Sequence, residues 1–134
     1  MLSYQKKYTY KLIMNCPCNP NRLYKDCCQK AHKNIKKVIS AEQLMRSRYS
    51  AFVLADIKYL NKSHHSSTRP SKKEYKELEL WARSVRWVKL EILNSKEYFV
   101  EFKATFIENG SFDIIHENSV FCKENNYWVY LNAK

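Results

Sequence analysis

Four cysteines within thirteen residues, Cys16-Pro17-Cys18 and, after eight intervening residues, Cys27-Cys28, are the side chains of this sequence best suited to chemistry. Thiolates at this spacing can fold back around a single metal ion, and a tetrahedral four-thiolate set is a preferred donor set of structural zinc. Disulfides are the alternative. Adjacent cysteines such as Cys27 and Cys28 rarely bridge each other, and joining the two pairs would tie a very small knot in a chain without secretory features. Pro17 fixes its own φ and Asn19-Pro20-Asn21 is turn-forming, so the local sequence favours a tight cage. The expected ligands are Cys16, Cys18, Cys27 and Cys28, with Zn2+ as the cofactor; His32 is an alternative ligand.

The elements that must carry this cage and any second site read as helices followed by strands. Ser40-Ala41-Glu42-Gln43 is a capping box, after which Ala41, Leu44, Met45, Tyr49, Phe52 and Ala55 share one helical face. Asp56 is placed to cap a short second helix through Leu60. A polar loop follows from Asn61, and Ser71 to Glu74 opens a third helix that reaches about Arg83. From Trp87 the periodicity becomes two, giving strands at Trp87 to Leu93, Tyr98 to Ile107, Ser111 to Cys122 and Tyr127 to Asn132. Helices followed by an antiparallel meander predict an α+β fold.

Asn109-Gly110 is a two-residue hairpin signal and fixes the register of the meander. Glu108 then opposes Ser111, Phe102 opposes Glu117, Val100 opposes Ser119 and Tyr98 opposes Phe121. A second turn at Asn125-Asn126 sets Tyr130 opposite Phe121. Opposed residues share a face, so Glu117 and Ser119 point inward among aromatics, and Arg48 sits within the apolar stripe of the first helix. A buried arginine needs a partner. The expectation is that Arg48 meets Glu117 across a cavity lined by Tyr49, Ser119 and Tyr130, with Trp128 at its margin. The plainer alternative is a structural ion pair in a filled core. His116 falls on the other face from Glu117, Cys122 also lies outward without a base, and His64 and His65 fall in the polar loop as surface or capping residues.

The chain has 134 residues and a formal charge of +11. Up to Lys37 there are nine Lys or Arg against the single acid Asp26, and beyond it fifteen against twelve. The cysteine end is therefore the basic end. Arg22, Lys25, Lys30, Lys33, Lys36 and Lys37 partly offset a tetrathiolate cluster; beyond that they form either a contact surface for RNA, the ribosome or an acidic protein, or a solvated face. No apolar run approaches a membrane span. The start lacks a signal peptide's apolar core, so a cytoplasmic home is expected, where thiols stay reduced. Gly110 is the only glycine, which excludes glycine-rich phosphate loops.

The Cys-Pro-Cys and Cys27-Cys28 pairs, with Tyr24-Lys25-Asp26 between them, resemble a SEC-C motif, the small zinc module at the carboxyl end of the SecA translocation ATPase. That resemblance implies zinc at all four cysteines, although Asn19-Pro20-Asn21 stands where the motif has Gly-Ser-Gly. Further along, Leu44 to Phe52, His65 to Pro70, Trp87 to Leu90, Val100 to Phe102, His116 to Ser119 and Trp128 to Tyr130 resemble successive blocks of the YchJ-like family. It implies a cone-shaped domain of the nuclear-transport-factor-2-like (NTF2-like, cystatin-like) type. His64, Ser66, Val120 and Leu131-Asn132-Ala133 depart from the family pattern. The expected organisation is an extension over residues 1–13, a zinc motif over 14–37 and the NTF2-like domain over 38–134.

Two functional classes follow. One is a non-enzymatic adaptor whose zinc end contacts a partner, as SEC-C modules contact the export chaperone and ribosome. The other is a small-ligand binder or acid–base enzyme using the cone, with Glu117 or His116 as base and Arg48 or Tyr49 in support. The sequence favours the binding module. The outer sheet face, which carries Phe99 and Ile114, is a candidate homodimer surface.

Overall fold

A computed structural model describes residues 13–134. The extension expected over residues 1–13 lies, Ile13 excepted, outside the described residues. The order is β1 (Asn15–Cys16), β2 (Asn19–Leu23), a 3-10 turn at Tyr24–Asp26, α1 (Cys28–Lys33), a second 3-10 turn at Ile35–Lys37, α2 (Ala41–Leu54), α3 (Ile57–Lys62), α4 (Lys72–Ser84), β3 (Arg86–Ser95), β4 (Phe99–Glu108), β5 (Ser111–Glu124) and β6 (Tyr127–Ala133). β1 and β2 form a small antiparallel ribbon, and β3 to β6 form one antiparallel meander in sequence order. The fold is α+β.

Both hairpins turn through two residues in the left-handed region, Asn109 and Gly110 at φ 51° and 79°, Asn125 and Asn126 at φ 53° and 68°. Such pairs match the right-handed twist of the flanking strands. The register is the expected one, with Phe102 opposite Glu117, Val100 opposite Ser119 and Phe121 opposite Tyr130. Tyr98 stands just before β4, and its carbonyl accepts from the Phe121 N–H at 2.9 Å. Val100, Phe102, Ala104, Phe106, Ser119 and Phe121 are consequently buried on one face. On the other face His116 pairs with Glu101 at 2.7 Å, Lys134 lies over the Phe99 ring at 4.3 Å, and Phe112 and Ile114 are exposed.

The helix ends follow local chemistry. Ser40 accepts from the Gln43 N–H, Asp56 from the Tyr59 N–H, and Ser71 with Glu74 forms a complete capping box. The segment after α3 departs from a plain polar loop. The Tyr130 N–H donates to the Ser63 carbonyl and the His65 N–H to the Tyr130 carbonyl, both at 2.7 Å, so residues 63–65 lie as a parallel bridge beside β6. His64 is therefore buried, which corrects its expected surface position.

One apolar core joins the cysteine ribbon to the sheet: Cys16, Cys28, Ile35, Leu44, Tyr59, Phe102, Phe121 and Trp128 belong to a single buried cluster. No helix of the described residues is long and apolar enough to cross a membrane. α2 ends at Ala55, which adopts φ 54° while the Asp56 N–H reaches back to the Ala51 carbonyl at 2.8 Å. A side chain with a Cβ is strained there and glycine is not. Replacing Ala55→Gly is expected to stabilise the fold by about 0.5–1 kcal/mol, read as a higher urea midpoint at unchanged slope.

Candidate metal centre and interior cavity

β1 delivers Cys16, the turn to β2 delivers Cys18, and Cys27-Cys28 stand at the entrance to α1. The Cys16–Cys18, Cys18–Cys27 and Cys18–Cys28 sulfurs are 3.7, 3.6 and 3.5 Å apart, and all four Sγ atoms lie within 4.8 Å of one another. With metal–sulfur bonds of about 2.3 Å, the edge of a tetrahedral tetrathiolate is about 3.8 Å. The four sulfurs thus fit one metal ion, and none is in a disulfide. The loop closes without glycine: Asn19 Oδ1 accepts from the Asn21 N–H at 3.0 Å, an Asx turn, and no residue between 19 and 21 has a positive φ. Hydrogen bonding among the crowded thiols drives Cys16 down, and pushes Cys18 up to about 12 and Cys28 up as well. The Cys18 and Cys28 thiols retain their protons unless a cation takes the protons' place.

The groups around the cage come from the helices behind it. Ser50 Oγ lies 3.6 Å from the Cys16 sulfur, and Arg46 Nη1 donates to the Cys18 carbonyl at 3.1 Å while its Nε pairs with Glu42. His32 is not a ligand: Tyr24 OH is 2.6 Å from its Nδ1, and its Nε2 is 2.8 Å from the Ser47 carbonyl, which fixes Nε2–H as donor and Nδ1 as acceptor. Ser47 Oγ in turn meets Tyr59 OH at 2.6 Å, and the His32 ring sits 4.6 Å from that of Tyr59. Cys122 stands apart, half-buried, its thiol pushed up by burial.

On the opposite side of α2 a cavity of about 230 Å³ opens between α2, α4 and the inner sheet face. Arg48, Tyr49, Glu117, Ser119 and Tyr130 all line it; Trp128 does not. At its apolar end stand Trp81 and Trp87, which pack with Phe106 behind them, the three rings 5.4–5.7 Å from one another. The expected Arg48–Glu117 ion pair is absent: among the described residues no carboxylate lies within 4.0 Å of Arg48. Arg48 Nη1 donates to the Leu60 carbonyl at 2.9 Å and to Ser63 Oγ at 2.8 Å, and its Cζ lies 4.8 Å from the Tyr130 ring centroid. The end of α3 sits closer to the guanidinium than the sheet does, so the Leu60 carbonyl and the Ser63 hydroxyl take the role assigned to Glu117. Glu117 instead accepts from Ser119 Oγ at 3.4 Å.

Sequence reasoning missed His64. It lines the cavity at 7% exposure, stacks edge-on to Tyr130, and its Nε2 is the one buried side-chain nitrogen or oxygen among the described residues without a partner. Burial, with the Arg48 charge beside it, holds its pKa down at about 4. His65 is engaged elsewhere, accepting from Ser67 at Nδ1 and meeting Glu124 through Nε2. Only the parallel bridge beside β6, which the sequence pattern does not signal, turns His64 inward.

A four-thiolate knuckle built against helices on a curved antiparallel sheet defines a SEC-C motif protein with an NTF2-like domain. Residues 40–133 match the family described as YchJ_M-like, the YchJ middle NTF2-like domain. The UPF0225 protein VP1145 of Vibrio parahaemolyticus is 42% identical over 130 residues, covering 91% of this chain and 75% of that protein. A UPF0225 protein of Bordetella pertussis is 41% identical over 125 residues, 88% of this chain and 90% of the relative. Among solved structures, a SEC-C motif containing protein from Psychrobacter arcticus aligns with a TM-score of 0.69 at 30% identity, over 90% of this chain and 82% of that one. RPA3114 from Rhodopseudomonas palustris, also a SEC-C motif containing protein, aligns at 0.74 and 29%, over 90% and 98%. The chain belongs to the YchJ-like family.

Because cage and cone share one core, stripping metal with a chelator is expected to lower the unfolding temperature reported by Trp81, Trp87 and Trp128, all outside the knuckle, by about 10 °C or more. An unchanged tryptophan transition would show that the two parts are uncoupled. His64 generates a pH signature. Its folded pKa is depressed from 6.5 to about 4, so the unfolded chain binds the extra proton. Stability is therefore expected to fall between those two values as the medium is acidified, by up to about 3 kcal/mol, and His64→Gln should flatten that part of the profile in urea titrations at successive pH values.

Proposed function

We propose that Cys16, Cys18, Cys27 and Cys28 hold a zinc ion in a reducing compartment, the cytoplasm, and that residues 14–37 so fixed present, together with Arg46 of α2, a basic docking groove. On this reading residues 38–134 are the NTF2-like scaffold that supports it, and the protein is an adaptor rather than an enzyme. The observation that carries the reading is a groove of about 240 Å³ directly beside the cage, lined by Arg22, Lys30, Lys37 and Arg46 with Asp26 as its one acid. Arg46 is paired with Glu42 and Arg22 bonds the Asp26 carbonyl, whereas Lys30 and Lys37 have no ion-pair partner among the described residues. Cations held over a rigid cage attract a polyanion at little ordering cost.

The groove's chemistry favours an acidic protein segment over RNA. Its lining contains no aromatic side chain on which a base could stack, and stacking supplies much of the affinity for single strands. Carboxylates spaced along an extended peptide need only the cations. Two measurements test this. Metal analysis of protein purified without added metal should find about one zinc per chain, absent when all four cysteines become serine. An octaglutamate peptide should bind in fluorescence anisotropy, with affinity reduced at least about tenfold in the Lys30→Glu, Lys37→Glu double variant. Tighter binding of an oligouridine than of the peptide would move the assignment to RNA, and indifference to both charge reversals would overturn the groove.

A further inference from the structure

Beyond the docking groove, the interior cavity has the chemistry of a second, unassigned binding site. Arg48 is 6% exposed, its charge is compensated by no carboxylate within ion-pair distance among the described residues, and only its Nη1 is hydrogen-bonded there. A buried guanidinium supported by carbonyl and hydroxyl dipoles alone is a costly arrangement, because the solvation it gave up is only partly replaced. His64 lines the same space, and its Nε2 is buried without a partner. Two unmet needs, a positive charge and a neutral imidazole nitrogen, therefore coincide. Glu117 lines the space too, and it is bonded to neither of them. The cavity thus presents one positive and one negative group that do not pair with each other, next to an apolar compartment formed by Phe52, Trp81 and Trp87.

We propose that this cavity binds a small zwitterion with an apolar body, a hydrophobic α-amino acid being the simplest such molecule. Its carboxylate meets Arg48, its ammonium meets Glu117 beside the unpartnered Nε2 of His64, and its side chain fills the aromatic compartment. The volume of about 230 Å³ has room for a branched or aromatic side chain. A purely anionic ligand would answer Arg48 but set a second negative charge against Glu117. A purely cationic ligand would answer Glu117 and add to the uncompensated charge of Arg48. The zwitterion alone leaves no charge in the cavity unmatched.

The test uses the metal-loaded full chain in calorimetric titrations with L-phenylalanine and L-leucine. Each is run beside its one-charge counterparts, 3-phenylpropionate and phenethylamine for the first, 4-methylpentanoate and isoamylamine for the second. At least one amino acid is expected to bind, at least about tenfold more tightly than either of its counterparts. Glu117→Gln should weaken the amino acid about tenfold while leaving the carboxylate-only compound unchanged or tighter, and Arg48→Met should weaken both. Arg48→Lys keeps the charge while losing the fork, and it tests the carboxylate contact should Arg48→Met fail to fold. The proposal is overturned if neither amino acid binds up to about 10 mM, if the carboxylate-only compound binds as tightly as its amino acid, or if Glu117→Gln leaves the difference between them intact. Any of these would leave Arg48 and Glu117 as structural groups of the cavity wall.

Discussion

Closure of the cysteine cage is the constraint on which the rest of the structure depends. Cys16, Cys18 and Cys28 are at most 4% exposed and count among the core residues, so the ribbon that bears them is part of the interior. Four sulfurs within 4.8 Å of one another cannot all ionise without a cation between them, and they cannot spread apart without opening that interior. A small core gains from being fixed in this way, since the metal–thiolate contribution is made in the folded state and the unfolded chain has no preformed site.

Helix α2 transmits that constraint. Its residues from Ser47 to Ala51 are all buried, which means that the helix is enclosed on nearly every side. One side serves the cage, with Arg46 on the Cys18 carbonyl, Ser47 receiving His32 and Ser50 beside the Cys16 sulfur. The other serves the cavity through Met45, Arg48, Tyr49 and Phe52. Polar residues in an enclosed helix are tolerated because each finds a partner at short range: Ser47 bonds Leu44 and Tyr59, and Arg48 bonds Leu60 and Ser63. The mixture of polar and apolar residues in α2 thus records two packed faces, whereas α4, with only Tyr75 and Ala82 buried, has one.

The meander and the cage were the legible parts, for physical reasons that differ. Asn109-Gly110 and Asn125-Asn126 select two-residue turns, and a turn of fixed length determines every cross-strand pair up to the next bulge, so Glu117 opposite Phe102 followed from local chemistry. The cysteines were legible because donor type and spacing suffice to suggest a metal. The partner of Arg48 was not. Helical periodicity says that a side chain faces inward, but a long flexible arginine can reach in several directions, and the end of α3 intercepts it before the sheet does. His64 escaped for a related reason: its position depends on two backbone bonds between residues 63–65 and Tyr130, distant in sequence and carried by no local pattern. The effect of Asn19 also needed the structure, since its side chain makes the turn for which the motif uses glycine.

The shared helix decides what kind of relation the two sites can have. Coupling that changes the shape of one site when the other is filled needs an element with two arrangements of similar energy. α2 offers none. A rotation that moved Arg48 out of the cavity would carry Ser47 from the His32 and Tyr59 bonds and Ser50 from the Cys16 sulfur. Ser40 at one end and the Ala55 turn at the other fix its register along the axis. The cage therefore acts on the cavity through stability rather than shape. While the sulfurs are held together, α2 stays in place and keeps Arg48 buried opposite Glu117. If they separate, the helix loses one of its two packed faces, and the cavity loses the wall that holds its guanidinium out of water.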